Sequence, residues 1–167
     1  MYDYWYECQA YRHSYACNKI YRSELFKTIR YPVGILFEDM HTLPKLLKTV
    51  KKVATSNLGI YYYTANPKGI TSTADGNALR MLLQPHIEIV NNSHREGRDF
   101  QTYYLHVLNI QMDVYERTGD APVLKRRHLN PKYFKGIARL KAFMLNITDI
   151  KGLCKINKIV HKFKKIR

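Results

Sequence analysis

Five lysines near the end of the chain, Lys151, Lys155, Lys158, Lys162 and Lys165, recur at 4-3-4-3 spacing. On a helix that spacing places five ammonium groups on one stripe about 20 Å long. DNA carries one charge per about 1.7 Å of axis, so such a stripe can meet several phosphates. Like charges four residues apart destabilise a helix by a few tenths of a kcal/mol per pair, and no acid follows Asp149 to offset them. Upstream, Lys125, Arg126, Arg127, Lys132, Lys135 and Arg139 extend the same character. Arginine forks suit bidentate contact with phosphate or guanine. These eleven residues are the candidate nucleic-acid contacts.

A second constellation could do hydrolytic chemistry. Glu38, Asp39 and His41 follow a short apolar run, and His86 and Glu88 alternate along another. Carboxylates and imidazoles at strand ends can hold a divalent ion for two-metal nuclease or nickase chemistry. A paired-histidine motif is missing, and Gly59-Ile-Tyr61 matches only the first half of one nuclease signature. Cys8, His13 and Cys17 supply three of four zinc ligands, with Cys154 or His41 as the fourth, but no CxxC pair supports them. No glycine-rich phosphate loop occurs, and no cofactor or metal is expected.

The charge is distributed unevenly. The net charge is +15, and the segment from Ala121 to Arg167 holds fourteen Lys and Arg against the single acid Asp149. Residues 1–120 are nearly neutral. A field this lopsided repels itself and calls for an anionic partner. With 46% apolar and 25% charged residues in 167, the composition is that of one globular domain. Three scattered cysteines suggest reduced thiols. The sequence shows neither signal-peptide order nor a membrane-length apolar run, so an intracellular protein, cytoplasmic or nucleoid-associated, is expected. Lys, Ile, Asn and Tyr dominate the composition, and their AT-rich codons suggest a phage, plasmid, organelle or AT-rich bacterial source.

The elements positioning these residues read as α/β or α+β: a single domain with a small mixed sheet and a basic C-terminal helical pair. Aromatic residues crowd the N-terminus, and a helical face runs Ala10, Ser14, Cys17, Tyr21, Leu25. Val33–Phe37 reads as a strand, Leu43 to Ala54 as an apolar helix stripe capped by Thr42 with Pro44 in its first turn, and Leu58–Thr64 as a second strand. Together they form one βαβ unit. Ala74–Leu83 reads as a short helix, and the alternation of His86–Val90 and Leu108–Val114 gives the strands of a hairpin. Asn130-Pro131 starts a helix whose apolar stripe is Tyr133, Ile137, Leu140, Met144 and Ile147; Thr148 or Asp149 starts the last helix. Residues 1–120 then form a near-neutral body, and 121–167 a basic helical segment packed on the same domain.

The expected function is a nucleic-acid-binding regulator, DNA slightly favoured over RNA. Its basic helices touch phosphates, either as a helical hairpin or as a helix-turn-helix, and its body contacts a protein such as a polymerase. Tyr2, Tyr4, Trp5 and Tyr6 are the candidate partner residues, or stacking platforms for unpaired bases. A ribosomal or packaging component and a metal-dependent nuclease are the alternatives, an acidic protein or anionic lipid the other partners the charge would suit.

Overall fold

The computed structural model describes residues 2–64 and 66–164, with the side chains of Tyr2 and residues 158–164 outside that set. It is helical, at 58%, and no strand occurs among the described residues. The expected mixed sheet, with its βαβ unit and hairpin, is therefore corrected. Two compact units divide the chain at residues 1–85 and 86–167. The charge boundary near residue 120 falls inside the second unit.

The first unit opens with α1 (Tyr2–Tyr6) and three 3-10 turns at Ala10–Arg12, Ala16–Asn18 and Ser23–Phe26, in place of one long helix from Ala10. Trp5, Tyr6, Ala10 and Tyr11 are buried. Val33–Phe37 is a pair of tight turns: Gly34 and Phe37 have φ of 76° and 58°, left-handed values that break an extended run. Phe37 leads into α2 (Glu38–Thr49), which starts a turn earlier than the sequence suggests. Thr42 lies inside it, its hydroxyl donating to the Glu38 carbonyl at 2.7 Å. Met40, Leu43, Leu46 and Leu47 form the buried stripe. Residues 51–64 have no helix or strand and are all exposed, so the strand expected at Leu58–Thr64 has no sheet to join. After α3 (Ile70–Thr73) comes α4 (Gly76–Asn91), whose start is capped by Asp75, its carboxylate accepting from the Ala78 amide at 2.8 Å.

Pro85 lies inside α4. Its missing N–H leaves the Met81 carbonyl without the usual helix donor. The His41 ring fills that place, its Nε2 donating to the Met81 oxygen at 2.7 Å.

In the second unit α4 ends, α5 (Arg98–Thr118) forms the centre, and α6 (Gly136–Ile147) and α7 (Ile150–Lys164) follow. Phe100, Tyr103, Tyr104, Val107, Leu108, Gln111 and Val114 are buried along α5 with helical spacing. The seven-residue alternation Leu108–Val114 is the part of that pattern that also fits a strand. Gly119, at φ 78°, ends α5, its amide bonded to the Tyr115 carbonyl at 2.9 Å. Asn130-Pro131 opens only a 3-10 turn, Pro131–Tyr133, before α6. α7 packs on α5 and α6.

α6 is rotated away from its expected orientation. Ala142 and Leu145 are buried, while Ile137, Leu140 and Ile147 of the anticipated core stripe are exposed, together with Phe143. Full burial of such a side chain contributes about 1.5–3 kcal/mol, so a substantial gain is left unrealised. The rotation follows from Asn146, whose amide holds both backbone groups of fully buried Leu129: Oδ1 accepts from its N–H at 2.9 Å and Nδ2 donates to its carbonyl at 2.6 Å. No helix among the described residues is long and apolar enough to cross a membrane.

The proline bond can be tested by a double-mutant cycle. His41→Ala should cost about 1–3 kcal/mol in urea denaturation, the penalty for an unpaired carbonyl. In a Pro85→Ala background, where residue 85 regains its amide, the same change should cost clearly less. Equal costs in both backgrounds would show that His41 does not act through that carbonyl.

Candidate nucleic-acid interface

The basic segment begins as a strap, residues 120–130, that leaves α5 and returns along it. Three α5 side chains on one helical stripe hold it. Gln111 Oε1 accepts from the Val123 amide at 3.0 Å, and Gln101 Oε1 from the Asn130 amide at 2.7 Å. Between them the Tyr104 hydroxyl donates to the Lys125 carbonyl at 2.8 Å and accepts from the Arg127 amide at 3.1 Å. Burial pushes this phenol above its ordinary pKa, with Arg127 opposing, so it remains a neutral donor.

The candidate contact residues divide into three groups. Arg126 and Arg127 are engaged internally. Arg126 donates to the Asn146 carbonyl at 2.6 Å and the Thr148 carbonyl at 3.3 Å, closing the end of α6. Arg127 donates to the Val90 and Ser93 carbonyls at 3.0 and 2.8 Å, with its guanidinium 4.9 Å above the Phe100 ring. Lys125, Lys132, Lys135, Arg139, Lys151 and Lys155 are exposed, and their side chains have no hydrogen bond or ion pair among the described residues. The side chains of Lys158 and Lys162, and all of Lys165, lie outside the described residues.

Lys151 and Lys155 stand one turn apart on the outward side of α7, while Ile150, Leu153 and Cys154 are buried. Asp149, the segment's one acid, caps α7 by accepting from the Gly152 amide at 2.7 Å. Glycine suits that position: a Cβ there would come within 3.1 Å of Thr148 Cβ and 3.3 Å of the Asp149 carboxylate. Beside α6, a shallow hollow of about 540 Å³ opens between Asn130–Lys132 and the side bearing Gly136, Arg139, Leu140 and Phe143.

The hydrolytic constellation does not assemble. His41 is bonded to Met81, and the Asp39 carboxylate accepts from the Met40 amide at 2.7 Å. His86 is buried, sharing a 2.8 Å hydrogen bond with the Tyr103 hydroxyl, whereas Glu88 is exposed. Two residues apart on a helix, they point to different sides; on the expected strand they would have shared one. Glu38, Asp39 and His41 belong to the first unit, His86 and Glu88 to the second. Among the described residues no three His, Cys, Asp or Glu side chains gather as metal ligands, including the Cys8, His13 and Cys17 set. Of the aromatic partner candidates, Trp5 and Tyr6 are core residues, Tyr4 is half-buried, and the Tyr2 side chain is outside the described set.

Comparison with protein-family models, curated proteins and solved structures finds no match. What these side chains can do follows from their own chemistry: six exposed cations can neutralise phosphate or carboxylate. Gln101, Tyr104, Gln111 and Asn146, which shape the surface, are missing from the residues the sequence singles out. Their signal was a polar side chain recurring at helical spacing within an otherwise apolar helix.

Arg127 and Lys125 should separate in a stability assay. Arg127→Gln should lower unfolding free energy by about 1–3 kcal/mol, having left two carbonyls without their charged donor. Lys125→Gln, exposed and unbonded, should stay within about 0.5 kcal/mol of the parent. A neutral Arg127→Gln would return that residue to the free cations.

Asp39 sets a pH dependence. Burial raises its carboxyl above the ordinary 3.8, Glu38 adds to this, and the Met40 amide and Lys19 oppose it. The folded state therefore holds the proton more tightly than the unfolded chain. This group's contribution to stability falls as pH rises from 3.8 through the raised folded value. Asp39→Asn should gain stability relative to the parent between about pH 3 and pH 7 in denaturant melts. A difference independent of pH would contradict the raised value.

Proposed function

We propose that this chain is a nucleic-acid-binding regulatory protein that grips the phosphate backbone through its C-terminal basic segment. The observation that carries the reading is six exposed cationic side chains with no hydrogen bond or ion pair among the described residues, in a segment whose only acid is engaged as a helix cap. A solvated surface ordinarily mixes signs, and this one does not. Lysine is a point charge on a flexible stem, suited to phosphate positioning and poor at reading bases. Arg126 and Arg127, the residues best suited to guanine, are turned to backbone carbonyls. The reading therefore favours sequence-tolerant contact over helix-turn-helix base reading, with duplex DNA as the first ligand to test and RNA the second.

The test is the salt dependence of binding. Each neutralised phosphate contributes about −0.9 to the slope of log K against log salt on B-DNA. Lys151→Gln with Lys155→Gln should flatten that slope by up to about 1.8, leaving circular dichroism unchanged. An unaltered slope removes α7 from the contact surface, and absence of binding to both duplex DNA and structured RNA at low salt refutes the reading.

A further inference from the structure

α6 is apolar on two opposite sides. Ala142 and Leu145 face the core, while Ile137, Leu140, Phe143 and Ile147 on the other side are 83%, 61%, 51% and 64% exposed. A helix buries one apolar stripe against its core and ordinarily keeps the opposite face polar, which α6 does not. This outward face runs from Ile137 to Ile147, about 15 Å, and the hollow lies at its N-terminal end. Lys132 and Arg139 line that hollow, and Lys135 precedes the helix. The sequence places no acid between Ala121 and Thr148.

We infer that the outward face of α6 is a docking surface for an acidic amphipathic helix of a partner protein. Such a helix presents apolar anchors at i, i+3 or i+4, and i+7, which fits a stripe of this length. One bulky anchor would enter the hollow, and flanking Asp or Glu would meet Lys132, Lys135 and Arg139. The other occupants fit less well. Phosphates match the cations but leave Ile137, Leu140 and Ile147 uncovered. A second copy would bring the same cations against this rim, and like charges oppose that pairing. A flat bilayer leaves the hollow unfilled. The surface shares Lys132, Lys135 and Arg139 with the six exposed cations of the phosphate reading but no residue with α7, where Lys151 and Lys155 carry that reading's test, so the two tests can fail separately.

The probe is a fluorescein-labelled peptide of about 16 residues, helical in design, with Leu and Phe at the anchor positions and Glu flanking them. Its control carries Lys in place of Glu. With the full chain, anisotropy should show saturable binding of the acidic peptide and at least tenfold weaker binding of the basic one, roughly what reversed rim charges impose. Leu140→Ser, Phe143→Ser and Arg139→Glu should each weaken the acidic peptide by about tenfold or more, and Lys155→Gln should not. Hydroxyl-radical footprinting of the unmodified chain, which needs no variant to fold, should protect Leu140 and Phe143 when the peptide is added. Equal affinity for both peptides, no binding, or protection elsewhere would overturn the assignment. A dimer in light scattering that Leu140→Ser dissolves would reassign the face to a second copy. Sedimentation with phosphatidylserine vesicles that Phe143→Ser abolishes would reassign it to membrane.

Discussion

The second unit depends on how a charged strap is fastened to an apolar helix. A segment this basic has little reason to fold back on its own, and its backbone groups need partners once they leave water. Gln101, Tyr104 and Gln111 provide them from one stripe of α5, and Asn146 closes the arrangement from α6. The bonds are individually modest, about 0.5–1.5 kcal/mol each, but an unpaired buried group would cost more than each contributes. That asymmetry makes the attachment specific. It fixes the entry to α6, and through Asn146 it fixes which side of α6 faces inward.

The same constraint explains what the sequence could and could not disclose. α7, the break before it and a cap at Thr148 or Asp149 were legible, because local chemistry decides them, whereas α6 starts at Gly136 and not at Pro131. The direction of the α6 stripe was not. Leu140 and Ile147 are better core residues than Ala142 by volume, yet Asn146 settles the rotation, and its partner Leu129 lies outside the helix. Windows of five to seven residues misread α4 and α5, since His86–Val90 and Leu108–Val114 alternate over just that length. Extended to Phe100, the α5 pattern becomes helical. Val33–Phe37 looked like a buried strand from its apolar content, but Gly34 and the left-handed Phe37 turn it twice. Of the candidate site, the exposed lysines were legible from composition; the internal use of Arg126 and Arg127 was not, since carbonyls at helix ends leave no mark on the sequence.

His41, Arg126 and Arg127 share one employment, closing helices where the backbone runs short of partners. His41 answers the carbonyl that Pro85 releases, Arg127 the end of α4, and Arg126 the end of α6. These are residue types that would ordinarily be taken for chemistry. Their bonds leave Lys125, Lys132, Lys135, Lys151 and Lys155, whose side chains make no hydrogen bond among the described residues, and the outward apolar side of α6 as the surfaces open to a partner.

The exposed stretch at residues 51–64 has a consequence for the behaviour of the chain in concentrated solution. Val53 to Thr64 contains no charge and no proline, and its Leu, Ile and three tyrosines favour extended pairing. With no sheet of its own to occupy, this segment is the part of the molecule most disposed to pair with its counterpart on another chain. Lys51 and Lys52 before it, and Pro67 and Lys68 after it, are the residue types that interrupt such stacking. The molecule's high positive charge works in the same direction by keeping copies apart. Salt, or an anion that neutralises the C-terminal segment, weakens that separation, so solubility falls with the same screening that would weaken the segment's field.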